Sequence, residues 1–210
     1  MFEAYNPKTH EQDPVLDGKY LSMPKALYQC RKWQGEGQKV VIVDGCFDTI
    51  HHKHFDYLKA VKNLGDKLLV RLVSDEYIAQ TKDPQGPLRK LDDRAKVIEH
   101  LPYVDAITSM HTGGLRWIDI YRPDIIVKST TSGVRVMEEM TEFETLGHQP
   151  KIIFFDADNN IVAPENILEE ARFYDETKYS PDKVSGSTMK KEIQDRFQER
   201  IAEKYLTCNI

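Results

Sequence analysis

The sequence has no apolar run close to the roughly 20 residues of a membrane-spanning helix, and its first residues, MFEAYNPKTHEQDP, lack a hydrophobic signal core. Its three cysteines are widely spaced and form no C-x-x-C pair, which argues against a disulfide framework or a zinc site. Basic residues are not in excess, because 29 Lys and Arg stand against 34 Asp and Glu, for a net charge of −5. We therefore expect no nucleic-acid or anionic-membrane surface, and a reducing, cytoplasmic location.

What the chain does contain is enough apolar material for one domain. Its 210 residues, 40% of them hydrophobic, suit a single well-buried domain with appendages. The first residues are polar and without periodicity, so we expect an N-terminal arm at 1–22 and a domain at 23–210. Within the domain, residues 156–183 are polar and show no core-forming strand. This stretch predicts a long excursion that serves as a lid or a contact surface.

Strand and helix patterns alternate along the domain. Short apolar runs predict five strands, at 39–44, 67–73, 104–108, 124–127 and 151–155. Helical spacing predicts helices at 23–34, 50–61, 76–80, 91–101, 115–121 and 134–146, with a last amphipathic helix after residue 184. The alternation predicts an α/β fold, a Rossmann-like parallel sheet of about five strands flanked by helices. Because ligands bind beyond the carboxyl ends of such strands, one crevice should gather residues 45–48, 74–75, 109 and 128–131.

The stretch KVVIVDGCFDTIHHKHFDYLKAV, residues 39–61, predicts a buried strand, a tight turn at Gly45 and a helix. Asp48 precedes the helical spacing and is the expected N-cap. His51 and His54, three residues apart, should share one face of the first turn. Cationic side chains in that turn oppose the positive end of the helix dipole, which favours a bound anion and predicts a phosphate site. A plain strand–helix connection with solvated histidines is the alternative.

A second segment near the end of the chain has similar chemistry. Ser185-Gly186-Ser187-Thr188 opens the last helix, and Lys190 lies in its first turn. Small hydroxyl residues and a glycine let backbone amides approach a phosphate, and the lysine again favours an anion. An ordinary N-cap followed by solvated lysines is the alternative.

These two segments carry a family resemblance. GCFDTIHHKH, residues 45–54, resembles the G-x-F-D-x-x-H-x-G-H signature of cytidylyltransferase-like nucleotidyltransferases, with Lys53 at the motif glycine. VSGSTMK, residues 184–190, resembles the family's I-S-S-T-x-x-R motif, with Lys190 at the arginine. The resemblance covers roughly residues 25–155 and 184–200. It is strongest to the adenylyltransferase domain of heptose-phosphate kinase/adenylyltransferases, followed by glycerol-phosphate cytidylyltransferases.

The resemblance implies an enzyme that transfers a nucleoside monophosphate, AMP in the first instance, from a nucleoside triphosphate to a phosphorylated sugar or polyol and releases pyrophosphate. It implies catalytic roles for His51, His54 and Lys190. The residues it assigns to the nucleotide are Gly45, Cys46, Phe47, Asp48, Lys128, Ser185, Ser187 and Thr188. Those it assigns to the acceptor or to phosphate are Asp75, Lys82 and Arg94. Mg²⁺ is expected as cofactor, bound mainly through the triphosphate, with no dedicated protein metal site.

Several alternatives stay open at this level. A CTP-dependent cytidylyltransferase of the same fold would use the same machinery. Three departures from the family pattern, at Lys53, at Lys190 and in the Ser-Thr-Thr after Lys128, suit a non-catalytic nucleotide-binding regulator. An interaction protein that uses residues 156–183 is compatible with either. Metal binding by the histidines lacks an H-x-x-x-H spacing, and nucleophilic chemistry at Cys46 lacks an acyl-transfer set. A homo-oligomer, most simply a dimer, is expected.

Overall fold

The computed structural model describes residues 18–82, 84–111, 115–130, 145–156 and 158–162. The helices are α1 (Met23–Gly35), α2 (His52–Lys62), α3 (Asp75–Thr81), α4 (Leu91–Glu99) and α5 (Trp117–Tyr121). The strands are β1 (Val40–Gly45), β2 (Lys67–Val73), β3 (Ala106–Met110), β4 (Ile125–Ser129), β5 (Lys151–Phe155) and β6 (Ile161–Val162).

The strands form one sheet in the order β3-β2-β1-β4-β5-β6. The first five are parallel, and β6 pairs antiparallel with β5. The chain adds β2 and β3 on one side of β1 and then crosses to β4 on the other. The strand order therefore reverses between β1 and β4, where open α/β sheets leave a crevice for ligands.

Two apolar layers cover the sheet because successive strand residues point to opposite faces. Val41 and Val43 of β1 face α2 and α4, whereas Val40 and Ile42 face α1 and α5. All four valine and isoleucine side chains are buried, as expected for a parallel strand between two helical layers. Among the described helices, none has both the length and the apolar character needed to cross a bilayer.

Most predicted elements are confirmed, and β2 and β5 have the predicted bounds. β3 begins two residues later than predicted, because the Asp105 carboxylate turns aside to accept the Leu68 amide and to pair with Lys62. The short strand β6 was not predicted. The helix predicted at 134–146 falls mainly on residues outside the described part, and so do the last helix and nearly all of the excursion beyond β6.

The N-terminal arm reaches the sheet before α1 begins. Tyr20 forms a parallel bridge with Ile107 of β3, and its side chain is buried in the core. Backbone bonds of 2.8 Å run from the Ile107 amide to the Lys19 carbonyl and from the Leu21 amide to the Ile107 carbonyl. Residues 18–22 therefore cover the outer edge of β3, whereas residues 1–17 lie outside the described part.

Candidate active site

The turn after β1 is shaped by a close contact between Gly45 and Phe47. A Cβ at Gly45 would lie 2.3 Å from Phe47 Cε2, so only glycine leaves room for the aromatic ring. Phe47 has φ 47°, in the left-handed region, which turns its ring back over the end of the strand. The ring is buried and meets His54 edge-on, with centroids 5.4 Å apart. The Phe47 ring of this turn thus packs against the His54 ring and supports it.

His51 and His54 meet at the start of α2, as predicted. His51 is the N-cap residue, and its amide donates to His54 Nδ1 at 3.3 Å. The two ring centroids are 4.1 Å apart. Both ring nitrogens of His51 are buried without a hydrogen-bond partner. Two imidazoles are therefore held side by side where the first-turn amides of α2 also point.

Burial sets the charge of this pair. It lowers the pKa of His54 to about 4, with the neighbouring His51 as a smaller cause. Burial also lowers the pKa of His51, and the charges of His52 and Lys53 act in the same direction. Both imidazoles are accordingly neutral at pH 7. Because His54 Nδ1 accepts a hydrogen bond, its proton is assigned to Nε2, which is left to donate to a ligand.

The predicted N-cap role of Asp48 is wrong. Its carboxylate accepts the Leu88 amide at 3.0 Å and the Arg89 amide at 2.8 Å. The helix begins only at His52, after an extended His51, so the Asp48 side chain is too far back in sequence to reach the orphan amides. Asp48 instead fixes the loop between α3 and α4 against the turn that precedes the histidines.

Arg94 is a second anchor of the same loops. Its guanidinium donates to the carbonyls of Arg89, Cys46 and Val73 at 3.0, 2.6 and 2.7 Å, and to Asp75 at 2.7 Å. The side chain is 0% exposed. Direct binding of a phosphate by Arg94, predicted from the sequence, does not fit this geometry. Asp75 is likewise engaged, since it also accepts the Leu91 amide at 3.3 Å.

The other predicted site residues are placed as follows. Lys128 lies at the end of β4, with its Nζ 3.9 Å from Asp44 Oδ2, and its side chain is mostly buried. Lys82 is exposed after α3. Cys46 packs against the small cluster around Val73, as a packed residue rather than a nucleophile. Four predicted ligands lie outside the described residues: Ser185, Ser187, Thr188 and Lys190.

A shallow cavity that sequence reasoning did not single out adjoins this region. Its volume is about 130 Å³, and it is lined by Asp75, Glu76, Lys90, Leu91, Asp92 and His111. In the sequence, this cavity corresponds only to a basic loop followed by the acidic start of a helix. That pattern does not show that the loop and the helix start face one another.

A family model described as cytidylyltransferase-like matches residues 42–191, more than half of the chain and both histidines. The chain belongs to the cytidylyltransferase-like family. This confirms the resemblance stated above.

Among curated relatives, bifunctional protein HldE of Koribacter versatilis is 28% identical over 153 residues, which cover 72% of this chain and 32% of that protein. Bifunctional protein HldE of Gluconacetobacter diazotrophicus is 36% identical over 109 residues, which cover 51% of this chain and 22% of that protein. The chain thus spans a third or less of the length of these relatives.

The fold agrees with solved structures. The lipopolysaccharide core biosynthesis protein of Thermoplasma volcanium has a TM-score of 0.50 and 28% identity, and the match covers 56% of this chain and 96% of that one. Pantoate-beta-alanine ligase of Francisella tularensis has a TM-score of 0.52 over 83% of this chain and 85% of that one, and at 12% identity it supports the fold alone. The family match indicates an enzyme of the nucleotidyltransferase class.

In this member of the cytidylyltransferase-like family, Lys53 takes the place of the motif glycine. Its ammonium lies 3.0 Å from Asp158, in the turn between β5 and β6, and its carbonyl accepts from Asn159 at 3.4 Å. The side chain therefore joins α2 to the β5–β6 turn. This pairing explains how a lysine is accommodated at this position.

The described residues hold no grouping of three His, Cys, Asp or Glu side chains suited to a metal ion. Two carboxylates around the turn, Asp48 and Asp75, are already occupied by amide and guanidinium donors.

Proposed function

We propose that this chain transfers a nucleoside monophosphate, with ATP favoured over CTP as donor, to a phosphorylated sugar or polyol and releases pyrophosphate. The observation that carries the proposal is the neutral pair His51 and His54 at the start of α2, beside the point where the strand order reverses, in a chain of the cytidylyltransferase-like family. The resemblance to heptose-phosphate kinase/adenylyltransferases supports a sugar phosphate as acceptor, as does the name of one solved neighbour, a lipopolysaccharide core biosynthesis protein.

The proposed reaction is a displacement at the α-phosphorus. An oxygen of the acceptor phosphate forms a bond to the α-phosphorus, and the bond from that phosphorus to the oxygen bridging the β-phosphate breaks. The electron pair leaves with pyrophosphate. Because the acceptor oxygen is already an anion near pH 7, no general base is needed, and the protein acts by alignment and by stabilising the charge on the phosphoryl oxygens.

The side chains at the crevice suit that task. His54 Nε2–H and the unpartnered ring of His51 would donate to the α-phosphate oxygens without adding charge to the helix N-terminus. Lys128 would approach the nucleotide from the end of β4. Lys190, Ser187 and Thr188 are proposed for the β- and γ-phosphates. Exposed Lys82 is proposed for the acceptor phosphate, and Mg²⁺ would enter with the triphosphate.

The first test is binding of ATP and of CTP, each with Mg²⁺, by titration calorimetry on the full chain. Preferential binding of ATP is the expected result, and preferential binding of CTP would move the assignment to a cytidylyltransferase. Pyrophosphate release is then measured with a panel of sugar and polyol phosphates. Binding without release for any acceptor would support the non-catalytic regulator instead.

Substitution of His54 tests the proposed role of the histidine pair. We expect His54→Ala to lower turnover by about a hundredfold or more, as when one transition-state donor is removed. His100→Ala is the matched control, because His100 is exposed at the end of α4 and its ring bonds to the Lys96 carbonyl, far from the turn after β1 in sequence. Equal turnover of the two variants would contradict the assigned role of the pair.

A further inference from the structure

On the face of the sheet that α1 and α5 cover, one row of residues, lying side by side on neighbouring strands, is polar. Asp44 of β1 pairs in register with Arg71 of β2, and Arg71 pairs with Thr108 of β3. Lys128 of β4 continues the row on the other side of Asp44, one residue beyond the paired Val43 and Val127. The strand residues below this row on the same face are apolar, namely Val40, Ile42, Leu69, Ala106 and Ile126.

Arg71 is an enclosed member of the row, between Asp44 and Thr108. It is 5% exposed, and its Cζ lies 3.9 Å from the ring centroid of Trp117 and 5.6 Å from that of Tyr121. Its Nη1 is 3.4 Å from Asp44 Oδ1. These two atoms lack hydrogen-bond alignment, and Arg71 Nε and Trp117 Nε1 also have no partner.

Stability does not explain this arrangement. Buried polar atoms are normally paired, and a buried ion pair with unsatisfied atoms is no more stable than apolar side chains of similar volume. The same face is apolar one layer below, so apolar residues would fit the fold equally well. The charges of Asp44 and Arg71 therefore point to a role at the crevice, which the row adjoins.

Asp44 connects the enclosed cation to the crevice. It directly precedes Gly45, and its Oδ2 lies 3.9 Å from Lys128 Nζ. Both side chains are 15% exposed, compared with 6% for that of Arg71. The row is thus closed at Arg71 under Trp117 and opens at Asp44 and Lys128.

We propose that Asp44 and Arg71 are positioning residues of the nucleotide site: Arg71 fixes the Asp44 carboxylate, and Asp44 orients the Lys128 ammonium toward an anionic group of the bound nucleotide. The inference rests on the proposed function, because that function assigns Lys128 to the nucleotide. It goes beyond that function by identifying what holds the lysine.

Net charge and side-chain orientation predict opposite effects of Asp44→Asn on nucleotide binding. Removing the negative charge of Asp44 adds net positive charge beside an anionic ligand, so charge alone predicts tighter binding by Asp44→Asn. Loss of orientation predicts weaker binding. We expect the Kd for Mg-ATP to rise about tenfold in Asp44→Asn, and by as much or more in Lys128→Met.

A double-mutant cycle tests whether Asp44 affects nucleotide binding through Lys128. If Asp44 acts through Lys128, Asp44→Asn adds no loss in the Lys128→Met background. Arg71→Lys keeps a cation under Trp117 and should retain most of the affinity, whereas Arg71→Met should resemble Asp44→Asn. The control is Asp105→Asn, which removes a carboxylate that also lies between two cations, Lys62 and Lys67, but just before β3, at the amino-terminal end of the parallel strands. It should leave the Kd unchanged.

The outcomes separate this inference from the proposed function. Failure of the wild-type chain to bind either nucleotide removes the proposed function itself. If the wild type binds, equal or tighter binding by Asp44→Asn, or a full further loss in the Lys128→Met background, overturns the positioning role. Thermal unfolding checks each variant. Where Asp44→Asn does not fold, Asp44→Glu keeps the charge, shifts it by one methylene and should weaken binding by about threefold.

Discussion

The two histidines at the start of α2 illustrate how burial alters the charge of single residues. A helix N-terminus disfavours cations, yet four basic or titratable side chains follow one another at 51–54. Burial lowers the pKa of His51 and His54, and Lys53 pairs with Asp158, so the conflict is largely removed. The site then offers neutral donors that need no bound anion to be tolerated.

The lowered pKa of His54 predicts a pH dependence of stability. The ordinary pKa is 6.5 and the folded value about 4, so between these values only the unfolded chain takes up the proton. Stability is therefore full above pH 6.5 and falls as pH decreases toward 4, by on the order of 2–3 kcal/mol. Urea unfolding at pH 7 and pH 4.5 should show a smaller drop for His54→Gln than for the wild type. A drop as large as in the wild type would contradict the buried neutral state.

Lys53 leads to a second prediction at this scale. Because its ammonium is paired with Asp158, Lys53→Ala should change the Kd for Mg-ATP by less than about threefold. The exposed ion pair contributes only about 0.2–1 kcal/mol to stability. Asp158→Ala should therefore match Lys53→Ala in urea unfolding. A tenfold gain or loss of nucleotide affinity in Lys53→Ala alone would show that the lysine contacts the ligand.

At the scale of elements, the loops around the crevice are fixed by side chains that the sequence suggests as ligands. Asp48 holds the amides of Leu88 and Arg89, and Arg94 holds the Arg89 and Cys46 carbonyls. The turn after β1 and the loop before α4 are thereby joined to each other and to α3. Ligand-binding loops that are anchored in this way need little ordering when a substrate arrives.

Removal of the Arg94 anchor should be severe. Arg94→Met leaves Asp75 and three carbonyls without their donor in a closed space, so we expect a loss of about 3–5 kcal/mol in the free energy of unfolding. Arg116→Met is the matched control, because Arg116 is exposed before α5 and should change stability by less than about 0.5 kcal/mol. Similar urea midpoints for the two variants would refute the anchoring role of Arg94.

At the scale of the whole molecule, the sheet is completed at both edges by short segments outside the five-strand pattern. Residues 18–22 cover β3, and β6 covers β5. Covered edges leave fewer free backbone groups for association with another sheet. The dimer expected from the sequence stays a prediction, and sedimentation at several protein concentrations can check it.

The N-terminal segment should contribute measurably to global stability. Tyr20 is 7% exposed and belongs to the main core, so Tyr20→Ala should lower the free energy of unfolding by about 3 kcal/mol. Tyr28 on α1 is 70% exposed, and Tyr28→Ala should cost less than about 0.5 kcal/mol. If Tyr20→Ala were equally mild, residues 18–22 would be an appendage rather than part of the domain.

The strand–helix alternation, the bounds of β2 and β5 and the histidine motif can be predicted from the sequence alone, because hydrophobic periodicity and turn residues act over a few positions. The roles of Asp48 and Arg94 become visible only in the folded protein, since their partners Arg89 and Cys46 lie 41 and 48 residues away. The neutral state of the histidines likewise depends on burial under elements distant in sequence. Local pattern specifies elements, whereas the partner of a polar side chain is fixed only when those elements pack.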